Sequence, residues 1–162
     1  VKEVAQTCDQ SVEMIINSNI PEKEDGIVKF KAWDIKTWRT RMIDCDIGAL
    51  IKPIGDNLQQ KKPPTKLITY MSGGLPVICT PSGSDREVIE DGKNGFYAHS
   101  DEDWYKYLKL LIEDATLRKS IGCAARDYAV ANYGIKTITR QYTDIFDELI
   151  DGPMEVATAK TA

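Results

Sequence analysis

Residues 63–84, PPTKLITYMSGGLPVICTPSGS, hold the signals that set the fold. A proline suits a helix start, because its missing N–H would have no partner there anyway. Pro64, Leu67, Ile68 and Met71 then recur at the i, i+3, i+4, i+7 spacing of one helix face, with Lys66 and Thr69 on the other. Gly73 and Gly74 stop the helix, and LPVICT is a short continuous apolar run, as in a strand buried on both faces. A helix, a glycine stop and a buried strand in so short a span predict a helix lying directly on a parallel sheet.

The flanking sequence continues this alternation. Residues 11–17 and 27–31 read as strands. Asp34 is placed to cap a helix running to Asp44, with Ile35, Trp38 and Met42 on its inner face. The apolar run from Ile47 to Pro53 reads as another buried parallel strand, followed by a polar loop over 54–62 that carries Asp56, Asn57, Lys61 and Lys62. Downstream, Ser84 and Glu87 have the spacing of a capping box for a short helix over 85–91, which Gly92 ends, and 94–99 is a small strand. Three helices close the chain. Their stripes are Trp104, Leu108, Leu111; then Leu117, Ile121, Ala124, Tyr128; then Ile138, Tyr142, Ile145, Leu149, and all three read as core. The pattern predicts an α/β fold over residues 1–150, a Rossmann-like doubly wound parallel sheet with helices on both faces, and a frayed tail over 151–162. Such sheets bind ligands outside the carboxyl ends of their strands. Here those are the loops after Asn17, Lys31, Pro53 and Thr80.

Composition narrows the functions. The chain has 162 residues, enough for one domain with a sizeable core, and 42% hydrophobic with 28% charged residues is ordinary for a globular protein. A net charge of −4 and a pI near 5.1 argue against a nucleic-acid surface. No apolar run reaches the ~20 residues of a transmembrane helix, and no signal-peptide pattern is present. Cys8, Cys45, Cys79 and Cys123 form no CxxC pair and have a single histidine, His99, to join them, so reduced thiols, no metal site and a cytoplasmic location are expected. The chain begins at Val1 rather than methionine, as expected of a domain cut from a longer protein.

The chemistry gathers at the start of the 63–84 helix. Free N–H groups and the helix dipole favour an anion there, the donors being Thr65, Lys66 and Leu67, since Pro63 and Pro64 have none. Lys61, Lys62 and Lys66 add positive charge, which makes a phosphate-type anion the natural guest; a solvated lysine-rich loop before an ordinary helix explains the residues equally well. Neither GxGxxG nor GxxxxGK[ST] occurs.

The ordered run DIGALIKPI…PPTKLITYMSGGLPVICTPSGSDREVIEDGKNGFYA, followed by DEDWYKYLKLLIEDATLRKSIGCAARDYAVANYG, resembles the carboxy-terminal half of family 4 (group 1) glycosyltransferases of the GT-B fold, over roughly residues 27–150. That resemblance implies a site for a nucleotide sugar, commonly a UDP- or GDP-sugar, and transfer with retention of configuration and without a metal or other cofactor. It implies stabilisation of the leaving diphosphate by the helix N-terminus and basic side chains. It places Trp33 beside the nucleobase, although a core tryptophan is an equal reading, and aligns Glu87 with a glutamate near the donor. It also implies an amino-terminal acceptor domain as partner, which the apolar stripe of the last helices, otherwise core, would cover. It implies a full-length enzyme in the cytoplasm or peripheral at a membrane, and an opening strand with a basic loop that this chain either starts after or carries in an unrecognisable version. A fragment without the acceptor half is expected to be inactive alone.

Two departures stand out. The family sets two glutamates eight positions apart, the second commonly holding the ribose, in a helix reading P-T-K-L-x-E-Y-M; here those positions are Lys61 and Thr69. The expected fold is therefore kept without the usual acidic clamp. That leaves three readings: a donor-binding domain, a non-catalytic descendant serving as binding module or scaffold, and a doubly wound protein unrelated to sugar transfer. His99, Asp46 and Asp56 are read as surface or structural residues.

Overall fold

A computed structural model describes residues 1–19, 22–53 and 61–151. In chain order the elements are α1 (Lys2–Thr7), β1 (Met14–Ser18), β2 (Lys23–Asp25), β3 (Val28–Ala32), α2 (Trp38–Ile43), β4 (Gly48–Leu50), α3 (Thr65–Ser72), β5 (Val77–Cys79), a 3₁₀ turn (Gly83–Glu87), β6 (Phe96–Tyr97), α4 (Asp101–Glu113), α5 (Ala115–Tyr133) and α6 (Ile135–Asp151). They form two three-stranded sheets, ordered β1-β3-β2 and β4-β5-β6. All pairings are parallel except β2 with β3.

The decisive stretch folds as its pattern requires. In β5, Val77 and Cys79 enter one core with Leu67 and Met71 of α3 and Ala125 and Ala129 of α5. Ile78 points the other way, into a second core with Val4 of α1, Phe96, Leu108 and Leu111 of α4, and Ile121. This period-two division of one short strand is what gives the sheet a helical layer on each face. Gly74, at φ +80°, makes the turn from α3 to β5 in a conformation that side-chain-bearing residues avoid. Helix α5 reaches this turn through small residues: Gly122 is buried, and its Cα lies against the Gly74 carbonyl and Pro76.

Five expectations need correction. No helix separates β1 from β3; the chain crosses to the outer edge as β2 and returns through Gly26 (φ +60°), so the sheet carries an antiparallel edge strand. The helix expected from Asp34 begins only at Trp38, because the Asp34 carboxylate accepts from the Lys36 N–H and the Thr37 hydroxyl and holds a turn instead. Ile35 is consequently 65% exposed, whereas Met42 is buried as expected. Ser84 does not cap a helix: its hydroxyl donates to the Lys62 carbonyl, and Ser82, not Ser84, precedes the 3₁₀ turn that forms. In α5 the buried stripe is Ile121, Gly122, Ala125 and Ala129, so the packing face is narrower and smaller than the Leu117–Tyr128 stripe suggests. In α6 the apolar stripe that reads as core is exposed at Tyr142, Ile145, Phe146 and Leu149.

Helix α4 starts as its sequence indicates. Ser100 accepts from the Asp103 N–H, and the Asp103 carboxylate accepts from the His99 N–H, so His99 contributes its backbone to a cap and leaves its ring at the surface.

Candidate functional site

The carboxyl ends of β4 and β5 meet the start of α3 on one rim. Helix α3 begins after Pro64 with no side chain among the described residues capping it, and its first intrahelical bond runs from the Ile68 N–H to the Pro64 carbonyl. The N–H groups of Thr65, Lys66 and Leu67 therefore have no partner within the helix and are placed to donate to an anion. The Lys61 and Lys66 side chains are exposed. Leu67 can take part only through its main chain, since its side chain lies wholly in the core. The Ser84-to-Lys62 hydrogen bond, 2.9 Å, ties the segment before α3 to the turn after β5 and so joins the two halves of the rim.

Thr69 faces outward, one turn into α3. Its hydroxyl donates to the Thr65 carbonyl at 2.7 Å, which uses its only proton and leaves lone pairs that could accept from a ligand hydroxyl. Glu87 is exposed at the end of the 3₁₀ turn, and its carbonyl accepts from the Tyr128 hydroxyl at 3.0 Å. Trp33 follows β3 and is 51% exposed, so it is not a core residue; it belongs to the other three-stranded sheet. Asn57 and Asp56 lie outside the described residues. Asp46 is exposed and sits 3.6 Å from Arg118, a surface ion pair.

Sequence reasoning missed the most buried polar group of the rim. Asp85 is completely buried, and its Oδ2 accepts from the Lys52 ammonium and, at 3.1 Å, from the Ser82 hydroxyl. The Lys52 side chain is only 10% exposed. Asp85 Oδ1 has no hydrogen-bond partner among the described residues. The Tyr97 hydroxyl donates to the carbonyls of Asp85 and Ile89, and so fixes the turn that carries the carboxylate. A signal was present: a lysine ending the apolar run ALIK must either reach water or find an acid, and SGSD supplies one.

Cys79 lies beneath this pair. Burial, assisted by the Asp85 charge, pushes its thiol up to about 12. Its thiolate fraction near pH 8 is then about one in ten thousand. Titration of the folded chain with a thiol reagent should modify exposed Cys123 first and reach Cys79 only on denaturation. Reaction of Cys79 in the native state would show that the rim opens.

The comparisons bear on this same region. Residues 59–128 match the family model "Glycosyl transferases group 1". That span carries α3, β5, the 3₁₀ turn, β6, α4 and most of α5. Spore coat protein SA of Bacillus subtilis is 30% identical over 81 residues, which is 48% of this chain and 22% of that protein. An uncharacterized glycosyltransferase of Methanocaldococcus jannaschii is 29% identical over 89 residues, 54% of this chain and 23% of that one. Among solved structures, HepE of Anabaena in complex with UDP superposes with a TM-score of 0.62 at 23% identity, over 75% of this chain and 32% of that one. The carboxy-terminal domain of the group 1 glycosyltransferase LpcC from Francisella tularensis superposes with a TM-score of 0.57 at 22% identity, over 68% of this chain and 56% of that domain. The fold is thus the one expected from the resemblance, that of the carboxy-terminal half of the GT-B fold. The chain spans less than a quarter of the length of these curated relatives.

Proposed function

We propose that the chain is the donor-binding half of a retaining, metal-independent glycosyltransferase of family 4 whose donor is a UDP- or GDP-sugar. The observation that carries this is the uncapped start of α3, set beside exposed lysines on the carboxyl rim of a parallel sheet. Thr65, Lys66 and Leu67 hold the diphosphate through their N–H groups, while Lys61 and Lys66 neutralise the charge that grows as it departs. Asn57 belongs to the same loop, Glu87 lies near the sugar, and Trp33 lies toward the base. Relatives support the class: HepE was solved with UDP and with UDP-glucose. An amino-terminal acceptor domain of the same enzyme completes the reaction centre, and the exposed apolar face of α6 suits contact with it. Transfer by this chain alone is not expected. The full-length enzyme is placed in the cytoplasm, or peripheral at a membrane; no helix among the described residues is long and apolar enough to cross one.

Thr69 favours one competing reading, a binding module or scaffold that has lost the acidic ribose clamp. Its hydroxyl already serves its own helix, and Lys61 replaces the other acid. Saturation-transfer NMR with UDP, GDP, ADP and CMP, on the chain and on Thr69→Glu, separates the two. A carboxylate accepting ribose hydroxyls should tighten one nucleotide about tenfold, the equivalent of ~1.4 kcal/mol. No saturation passed from either protein to any nucleotide would favour the scaffold.

A further inference from the structure

The 3₁₀ turn Gly83–Glu87 is held in place from inside the fold. The Tyr97 hydroxyl of β6 donates to the Asp85 carbonyl at 3.1 Å, and the Tyr128 hydroxyl of α5 donates to the Glu87 carbonyl at 3.0 Å. Ser82 and Asp85 are buried at its base, where the Ser82 hydroxyl donates to the Asp85 carboxylate. From this fixed turn two side chains reach out to the rim. The Asp85 carboxylate takes the Lys52 ammonium, just past the end of β4, and the Ser84 hydroxyl donates to the Lys62 carbonyl, just before Pro63 and Pro64. The turn therefore grips the chain where it leaves the sheet and again where it enters α3. The second grip has a stiff lever attached. Both φ angles between the Lys62 carbonyl and the Thr65 N–H belong to prolines and are locked by their rings. Pro63 also precedes a proline, which steers it to extended backbone. Pro64 stands at φ −77° and ψ 32°, and α3 begins at the next residue. Fixing the Lys62 carbonyl thus fixes the direction in which the first N–H groups of α3 point.

We propose that Ser84 is a positioning residue for anion binding at the start of α3, acting through the Lys62 carbonyl and the Pro63–Pro64 lever. This role rests on the anion site proposed above and adds the residue that aims its donors. Ser84 touches no ligand in this role. Aim matters because a hydrogen bond weakens steeply as it bends. It matters also because donors ordered before the ligand arrives cost nothing to order when it binds. Stability should hardly register the loss of the Ser84 hydroxyl, since Leu67 and Met71 hold α3 in the core with both side chains fully buried.

The test follows the Thr65, Lys66 and Leu67 amides by NMR while UDP, and separately inorganic pyrophosphate, is titrated into the parent chain, Ser84→Ala, Ser84→Thr and Ser72→Ala. The Ser72 hydroxyl donates to the Thr69 carbonyl at 2.8 Å, so its variant loses a comparable bond at the far end of the same helix. Ser84→Ala should bind about three- to tenfold more weakly, the worth of one hydrogen bond, with a melting temperature within ~2 °C of the parent. Ser84→Thr keeps the hydroxyl and should restore the affinity, and Ser72→Ala should leave it unchanged. Unchanged affinity in Ser84→Ala overturns the role of Ser84 and leaves the anion site standing. An equal loss in Ser72→Ala also overturns it, because weakening of α3 would then be the cause. No response of the parent chain to either probe overturns the anion site itself, and the role of Ser84 with it.

Discussion

Asp85→Ala is expected to destabilise the chain by about 3–5 kcal/mol, the cost of leaving one partner of a buried ion pair without the other. Lys52 is almost enclosed, and Asp85 Oδ2 is the acceptor its ammonium has among the described residues, so removing the carboxylate strands a charge between β4 and β5. Part of the cost falls on Ser82, whose buried hydroxyl loses its acceptor. The double variant Lys52→Met/Asp85→Ala should recover most of the loss, because an apolar side chain of similar length needs no counter-charge. Urea unfolding of the two single variants and the double one gives the coupling directly. A single-variant loss under about 1 kcal/mol would mean that Lys52 escapes to water and that the pair behaves like a screened surface bridge.

Gly122→Ala is expected to cost about 1–3 kcal/mol although it places a better helix former inside α5. The helix gain is up to ~1 kcal/mol. Against it, a Cβ at this position would overlap the Gly74 carbonyl oxygen and come within 3.3 Å of Pro76 Cδ. Rotating a side chain cannot relieve this, because the carbonyl belongs to the left-handed turn between α3 and β5. A chain of this size loses roughly 2–4 °C of Tm per kcal/mol, so thermal melting resolves the change. Val130→Ala, on the exposed side of the same helix, serves as control and should be nearly neutral. An unchanged melting temperature for Gly122→Ala would show that α5 can lift off the turn.

Much of this fold is legible in the sequence where local and tertiary signals agree. Residues 63–84 give α3, its glycine stop and β5, because one apolar stripe and one apolar run point to the same core. The reading fails where two local patterns compete. Ser84 with Glu87 and Ser82 with Asp85 have the same spacing two residues apart, and neither forms a capping box: the 3₁₀ turn starts after Ser82, whose hydroxyl donates to the Asp85 carboxylate that is buried with Lys52. Residues 2–7 and 23–25 carry too few apolar positions for periodicity to detect α1 and β2, and β2 exists only because β3 offers an edge. The α6 stripe was legible as amphipathic, but periodicity does not say what an apolar face meets, and here it is exposed from Tyr142 onward. At the rim, the helix start was readable because prolines and lysines bracket it. The buried pair left only the lysine that ends ALIK as a signal, since its partners stand far apart in sequence and meet only across the sheet.

Helix α3 is eight residues long, too short to persist as an isolated peptide. It exists because its far end is anchored: the Arg126 guanidinium holds the Ser72 carbonyl, and α5 presses on Gly74. The donors at its near end are therefore created by folding and vanish with it. Any anion seated on them draws the unfolded chain back toward the native state by mass action. Occupancy and folding become two readings of one linked equilibrium, with α5 as the strut that couples them.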